Sequence, residues 1–213
     1  GGFANASVKP EGQGVTYDDA QETYTARYTN ETVALAFALT EEAVEDNLYD
    51  KISTRYTKAL ARSMANTKQV KGSNIINNST TSGYTGGDGA LLVSASHPTL
   101  SGNQTNVLTT AADLNETSLE AALIQISQMK DERGLKIALR GMKLILPVNL
   151  QFVAERLLNS AGRVGTADND INAIKSMGMV PQGYVINNFL TDTDAWYIKT
   201  DAPNGLKHFN RAP

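Results

Sequence analysis

The spacing of apolar positions changes repeatedly along this 213-residue chain, and each change predicts a different element. Residues 1–32 hold no sustained apolar run, and Gly1, Gly2, Pro10, Gly12 and Gly14 break any helix there. Between Val15 and Tyr28, aromatic and β-branched residues mix with polar ones (Val15, Tyr17, Tyr24, Ala26, Tyr28), which predicts an extended two-stranded arm with little core of its own. An isolated hairpin is marginal in water, so such an arm needs a partner surface; the alternative is a flexible terminus. Val33, Leu35, Phe37 and Leu39 then alternate with alanine and threonine, the pattern of a strand with one apolar face. Thr40 is a good N-cap, and Glu41 and Glu42 behind it suit the positive end of a helix dipole. Apolar positions recur every three or four residues at Val44, Leu48, Ile52, Tyr56, Ala59, Leu60, Met64 and Thr67. One helix is therefore expected from Glu41 to about Lys71, on the order of 45 Å long at 1.5 Å per residue, with Gly72 as its stop or first break.

Residues 72–118 form a loop-rich stretch, with four glycines between Ser79 and Gly89 and the run Ser94-Ala95-Ser96-His97-Pro98. Loops of that length inside a domain are usually functional or mobile. Asp113 or Asn115 is expected to cap the next helix, whose apolar positions are Leu119, Ala122, Leu123, Ile126 and Met129. It should end near Arg133-Gly134. Lys143 to Pro147 reads as a buried strand ended by proline, Gln151 to Leu158 as a short helix, and residues 159–170 as a polar loop. Tyr184-Val185-Ile186 and Ala195 to Ile198 read as two more strands, with a turn at Ala202-Pro203-Asn204-Gly205. This order predicts an α+β domain with helices packed on a small sheet.

Composition narrows the function. With 41% hydrophobic and 19% charged residues, the chain is ordinary globular material. A formal net charge of −3 leaves no basic excess to neutralise phosphates, which argues against charge-driven nucleic-acid binding. It does not argue against enclosing DNA, since a mildly negative wall lets DNA slide past. There are no cysteines, so disulfides and thiolate chemistry are excluded. No apolar run approaches the length of a membrane span. Gly1 at one end and Pro213 directly after an expected strand at the other read as cut edges, so a longer parent chain is expected.

Candidate chemistry is sparse. A Ser-His-Asp triad would have to use one of two histidines, His97 or His208. His97 lies in a loop with Ser94, Ser96 and Asp88 nearby in sequence, but no Gly-x-Ser-x-Gly elbow is present. Gly86-Gly87-Asp88-Gly89 lacks the alternating acids of a calcium loop and reads as a tight turn. Asp168-Asn169-Asp170 offers closely spaced oxygens, explained equally well by capping a helix at Ile171. Glu41, Glu42, Glu45 and Asp46 suit a helix start better than a metal site.

The ordered series of segments carries a resemblance. The arm Lys9-Pro10-Glu11-Gly12 and Val15-Thr16-Tyr17 leads into Ala26-Arg27-Tyr28-Thr29-Asn30-Glu31-Thr32, a strand and the long helix, with Ala59 to Lys68 near that helix's end. Then come Ile76-Asn77-Asn78, Gly87-Asp88-Gly89, Ser96-His97-Pro98, Asp131-Glu132-Arg133-Gly134, Leu144-Ile145-Leu146-Pro147, and Leu190 to Trp196. Together they resemble the major capsid proteins of tailed bacteriophages, including the group similar to the Mu-like head subunit. The resemblance implies the HK97-like capsid fold. Residues 1–32 would be most of its extended loop (E-loop), 33–71 the strand and long spine helix of a peripheral domain, 72–200 a mixed axial domain, and 201–213 the return strand to the peripheral domain.

It also implies a role. The chain would be a structural subunit, not an enzyme, with no catalytic residue, metal or cofactor. It would assemble with copies of itself into pentamers and hexamers of an icosahedral head around double-stranded DNA, in the bacterial cytoplasm, with scaffold, portal or decoration proteins as further partners and no membrane. Inter-subunit contact would fall to Lys9, Tyr17, Tyr24, Arg27 and Tyr28 of the arm, tyrosine supplying contact area at low entropic cost. Some relatives crosslink subunits through a Lys–Asn bond, for which Lys9 is the arm's only lysine. Two other functions compete: an encapsulin-type nanocompartment shell of the same fold, told apart by what the shell contains, and a hydrolase using His97.

Overall fold

The computed structural model describes residues 3–6, 9–14, 17–19, 24–46, 49–163, 170–203 and 205–209. Val15, Thr16, Leu48, Asp168, Asn169 and Asn204, used in the expectations above, lie outside these residues, and so do Asn210 to Pro213 at the end of the expected return strand. The elements are helices α1 (Glu41–Glu45) and α2 (Tyr49–Asn77), helix α3 (Glu116–Gln128), strand β1 (Gly141–Leu146), a 3-10 turn (Val148–Leu150), helices α4 (Gln151–Asn159) and α5 (Ala173–Ser176), and strands β2 (Tyr184–Ile186) and β3 (Tyr197–Thr200). The architecture is α+β, as expected.

The sheet has the order β2-β1-β3, with β1 parallel to β2 and antiparallel to β3. Leu144 stands in register with Tyr184 on one side and Ile198 on the other. That row meets the core, where Leu144 and Leu146 pack with Leu119 and Leu123 of α3, Ala154, Leu157 and Leu158 of α4, and Ile174 of α5. Leu119, Leu144 and Leu146 are wholly buried, each contributing about 2–3 kcal/mol of transfer free energy. Space at Gly141, which opens β1, is tight: a Cβ there would stand 2.6 Å from Leu123 Cδ2 and 3.0 Å from Ile198 Cγ2, so a larger residue would push these side chains aside. β3 begins at Tyr197, two residues later than the pattern at Ala195 suggested. The turn before it is set by Asp192, whose carboxylate accepts from the backbone N–H groups of Asp194 and Ala195, and Trp196 is pinned by its indole N–H to the Ala112 carbonyl at 3.0 Å.

Helix α3 starts where Asn115 caps it. Asn115 Oδ1 accepts from Ser118 N at 2.9 Å, and Ser118 Oγ accepts from Asn115 N at 3.0 Å, a reciprocal capping box. It stops at Gln128, short of the expected Arg133-Gly134, because Met129 turns to an extended backbone and Arg133 and Gly134 belong to a separate turn closed on Asp131. Helix α5 is capped by Asn172 rather than at Ile171. Asn172 is buried, its amide donating to the carbonyls of Leu157 (2.7 Å) and Ser160 (3.2 Å), so it ties α5 to the end of α4.

Three expectations fail in the first half. The arm has no strand among its described residues (15–16 and 20–23 lie outside them), and residues 33–39 form no strand either. The apolar alternation is present, but no neighbouring strand within the described chain supplies the hydrogen-bond ladder that would make it a sheet. Third, the single helix expected from Glu41 to about Lys71 is two elements, α1 ending at Glu45 and α2 beginning at Tyr49, and α2 passes through Gly72 and ends at Asn77. A helical glycine costs about 1 kcal/mol relative to alanine, and the polar clamp just beyond it outweighs that. Ser73 Oγ exchanges hydrogen bonds with the Asn187 side chain, while Asn77 donates to the Phe189 carbonyl at 2.9 Å and accepts from Thr191 N at 3.1 Å. The rod is thus fastened to the domain by its last turns. Among the described residues it makes no extended packing contact with another helix or strand.

Candidate assembly surface

A platform of loops lies between α2 and α3. Gly86 to Ala90 form a closed turn, with Gly89 N donating to Gly86 O and Gly86 N to Ala90 O. Its tip carries Asp88, which meets His97 Nδ1 at 2.7 Å and accepts from Ala90 N at 3.1 Å. Burial pushes the Asp88 carboxyl up, but the His97 and Ala90 hydrogen bonds outweigh it and hold it below the ordinary carboxylate range. His97 also exchanges both backbone hydrogen bonds with Gln104. On the far side, Asp131 Oδ1 accepts from the N–H groups of Arg133 and Leu135, and Ser101 N donates to the Glu132 carbonyl. The turn bearing Arg133 is thereby braced against the 99–102 turn.

The arm crosses this platform. Asp18 places both carboxylate oxygens 2.8 Å from Arg133 Nη2, and its Oδ2 also accepts from Ala4 N at 2.7 Å. The Ala4 N–H and the Arg133 guanidinium hold the Asp18 carboxyl below its usual range. Tyr24 donates its hydroxyl to the Pro98 carbonyl at 2.8 Å, and the Gly87 backbone lies against Thr25 and Ala26. Further along, Glu31 pairs with Lys71 of α2, and the Tyr28 ring sits 5.3 Å from that of Phe209. Of the residues expected to make contacts, Tyr24 and Tyr28 therefore touch their own chain. Lys9, Tyr17 and Arg27 are exposed. Asp18, Arg133 and Phe209 were not singled out from the sequence. Asp18 and Arg133 are 115 positions apart, and a salt bridge at that separation leaves no local signal.

Apolar surface is left uncovered on the arm and the rod. Tyr17 is 96% exposed, Tyr28 71% and Leu35 53%. Phe37 meets Tyr56 of α2 edge-on, with ring centroids 5.8 Å apart. Beside this pair, Leu35, Ala36, Ala59, Leu60 and Ser63 complete an open groove of about 320 Å³.

The platform brings no reactive set together. His97 Nε2 is buried and meets no hydrogen-bond partner, so no described hydroxyl stands where a triad serine must. The nearby serines are used locally: Ser94 Oγ bonds to Ser96, and Ser96 Oγ accepts from Asn103. Among the described residues no group of three or more His, Asp or Glu side chains is placed to hold a metal ion, and no helix is long and apolar enough to cross a membrane. Asp192 and Asp194 share a hydrogen bond that lowers the first carboxyl and raises the second. A cleft of about 400 Å³ beside Lys175, Met179 and Tyr184 gathers no such cluster either.

The structure is thus an α+β domain that carries a rod held by its last turns and an arm that leaves Tyr17 and Tyr28 exposed. The chain belongs to the phage capsid protein family, whose model matches residues 23–213. No curated protein and no solved structure matches it.

Proposed function

We propose that the chain is a shell subunit of a tailed-phage head with the HK97-like arrangement, in which residues 1–32 act as the E-loop, 33–71 lead into and form most of the spine of the peripheral domain, the loops and sheet up to residue 200 form the axial domain and 201–213 return to the periphery. The spine helix continues to Asn77. Copies join as pentamers and hexamers in the host cytoplasm, enclose double-stranded DNA without reading its sequence, and become part of the virion. The arm then gains its burial on a sister copy, where Lys9, Tyr17, Tyr24, Arg27 and Tyr28 meet the neighbouring surface.

The observation that supports this reading is the open apolar groove that Leu35 and Phe37 form with Tyr56 and Leu60 of the rod, with Tyr17 of the arm separately exposed. Monomers rarely leave large contiguous apolar surface open unless something covers it. The test is expression of the full-length protein followed by electron microscopy. Closed particles tens of nanometres across support the reading, and monomers under all assembly conditions refute it. Shell contents separate the two shell functions: DNA marks a phage head, and a packaged enzyme marks a nanocompartment.

A further inference from the structure

We propose that, before assembly, the arm is latched onto its own subunit with Arg133 as the catch, and that this latch must open before the arm can reach a sister copy. The inference rests on the arm's being the inter-subunit element.

Three features of the contact carry it. First, the catch is built before the arm arrives. Its backbone is fixed by Asp131 and by the Ser101–Glu132 hydrogen bond, neither of which involves the arm. Second, the arm's part of the latch is a single carboxylate that also closes the arm on itself, since Asp18 binds the Ala4 N–H and Arg133 together. Tyr24 on Pro98 and Thr25 on Gly87 extend the seat toward the Asp88–His97 pair, which holds the two platform loops in register. Third, the polarity runs opposite to that of a permanently folded segment. The groups turned inward are a carboxylate, a hydroxyl and peptide groups, while Tyr17 and Tyr28 stay largely outside. A segment docked for good buries its apolar side chains. One held by exposed polar contacts exchanges partners readily, because such contacts are weak and screened by salt.

The cis seat and the trans seat therefore compete for one arm. Holding the arm at home lowers the fraction of subunits competent to assemble and raises the concentration at which shells appear. Salt weakens the catch more than it weakens apolar burial between copies, so ionic strength tunes the threshold.

The test uses the full-length protein with Asp18→Asn, which removes the charge, keeps the shape and touches no core residue. Arg133→Gln is the matching change on the platform, and circular dichroism checks that each variant is folded. Two quantities are read: the threshold concentration for shell formation by light scattering, and the rate at which trypsin cuts after the exposed Arg27 in unassembled subunits. Both variants are expected to lower the threshold and speed the cleavage by about two- to five-fold, with added salt bringing the wild type toward the same values. Unchanged threshold and cleavage in both variants would overturn the latch. If the wild-type protein forms no shells at all, the capsid reading fails instead, and the cleavage rates alone decide whether the latch exists.

Discussion

Replacing Tyr17 with alanine should weaken the assembled shell while leaving the isolated subunit almost untouched. The ring is 96% exposed in the single chain. Surface changes of that kind stay within about 0.5 kcal/mol of the wild-type stability. In a shell the balance differs. A tyrosine presents roughly 200 Å², and covering about half of it at ~25 cal/mol per Å² is worth ~2.5 kcal/mol per subunit. That corresponds to a factor of about 50–100 in the dissociation constant of one arm contact, repeated at every copy. Guanidinium titration followed by light scattering for shells, and by circular dichroism for dissociated subunits, separates the two effects. The shell midpoint should fall clearly and the subunit midpoint should not move. Shells of wild-type stability would show that Tyr17 remains in water after assembly, and a matching fall in both curves would show that it supports the subunit's own fold.

Other consequences are more local. Removing residues 1–28 should leave the domain around β1 folded by circular dichroism and abolish stable shells; normal shells would rule out the arm as an interlocking element. Asn172→Ala should destabilise the domain by about 2 kcal/mol in a denaturant titration, since it strands the Leu157 and Ser160 carbonyls and removes the cap of α5. Gly141→Ala should cost about 1–3 kcal/mol through overpacking against Leu123 and Ile198. The Asp88 carboxyl is depressed in the folded chain, so its contribution is present above the ordinary carboxylate range and is lost as pH falls through the lowered value. Asp88→Asn should therefore lower stability at neutral pH and flatten its decline below about pH 4; parallel wild-type and variant curves would refute the assignment.

Local physics made the second half of the chain legible. Strand β1 ends in the apolar run Leu144-Ile145-Leu146 closed by Pro147, α4 shows helical spacing from Phe152 to Leu158, and Asn115 with Ser118 three residues on is a capping signature readable without coordinates. What failed depended on partners. The alternation at Val33, Leu35, Phe37 and Leu39 is a sound strand pattern, yet a strand exists only where a second backbone completes its ladder. Gly72 carries a strong local signal for a helix end, and it was overridden by Ser73 and Asn77 finding Asn187 and Phe189 more than 100 positions away. The same limit hid Arg133, whose neighbours in sequence suggested only a helix C-terminus. Tyr24 and Tyr28 stood out as aromatic residues in a polar arm, but which surface each would meet was not written in their spacing.

Because the chain has no cysteine, a single thiol placed on the arm reports its environment without background. Tyr17→Cys and Tyr28→Cys proteins, labelled with a thiol reagent before and after assembly, would measure burial of the arm directly. Fast labelling of free subunits and strong protection in shells is the predicted result. Equal labelling in both states would mean that sister copies do not cover the arm, and the account of how this subunit completes its fold would be wrong.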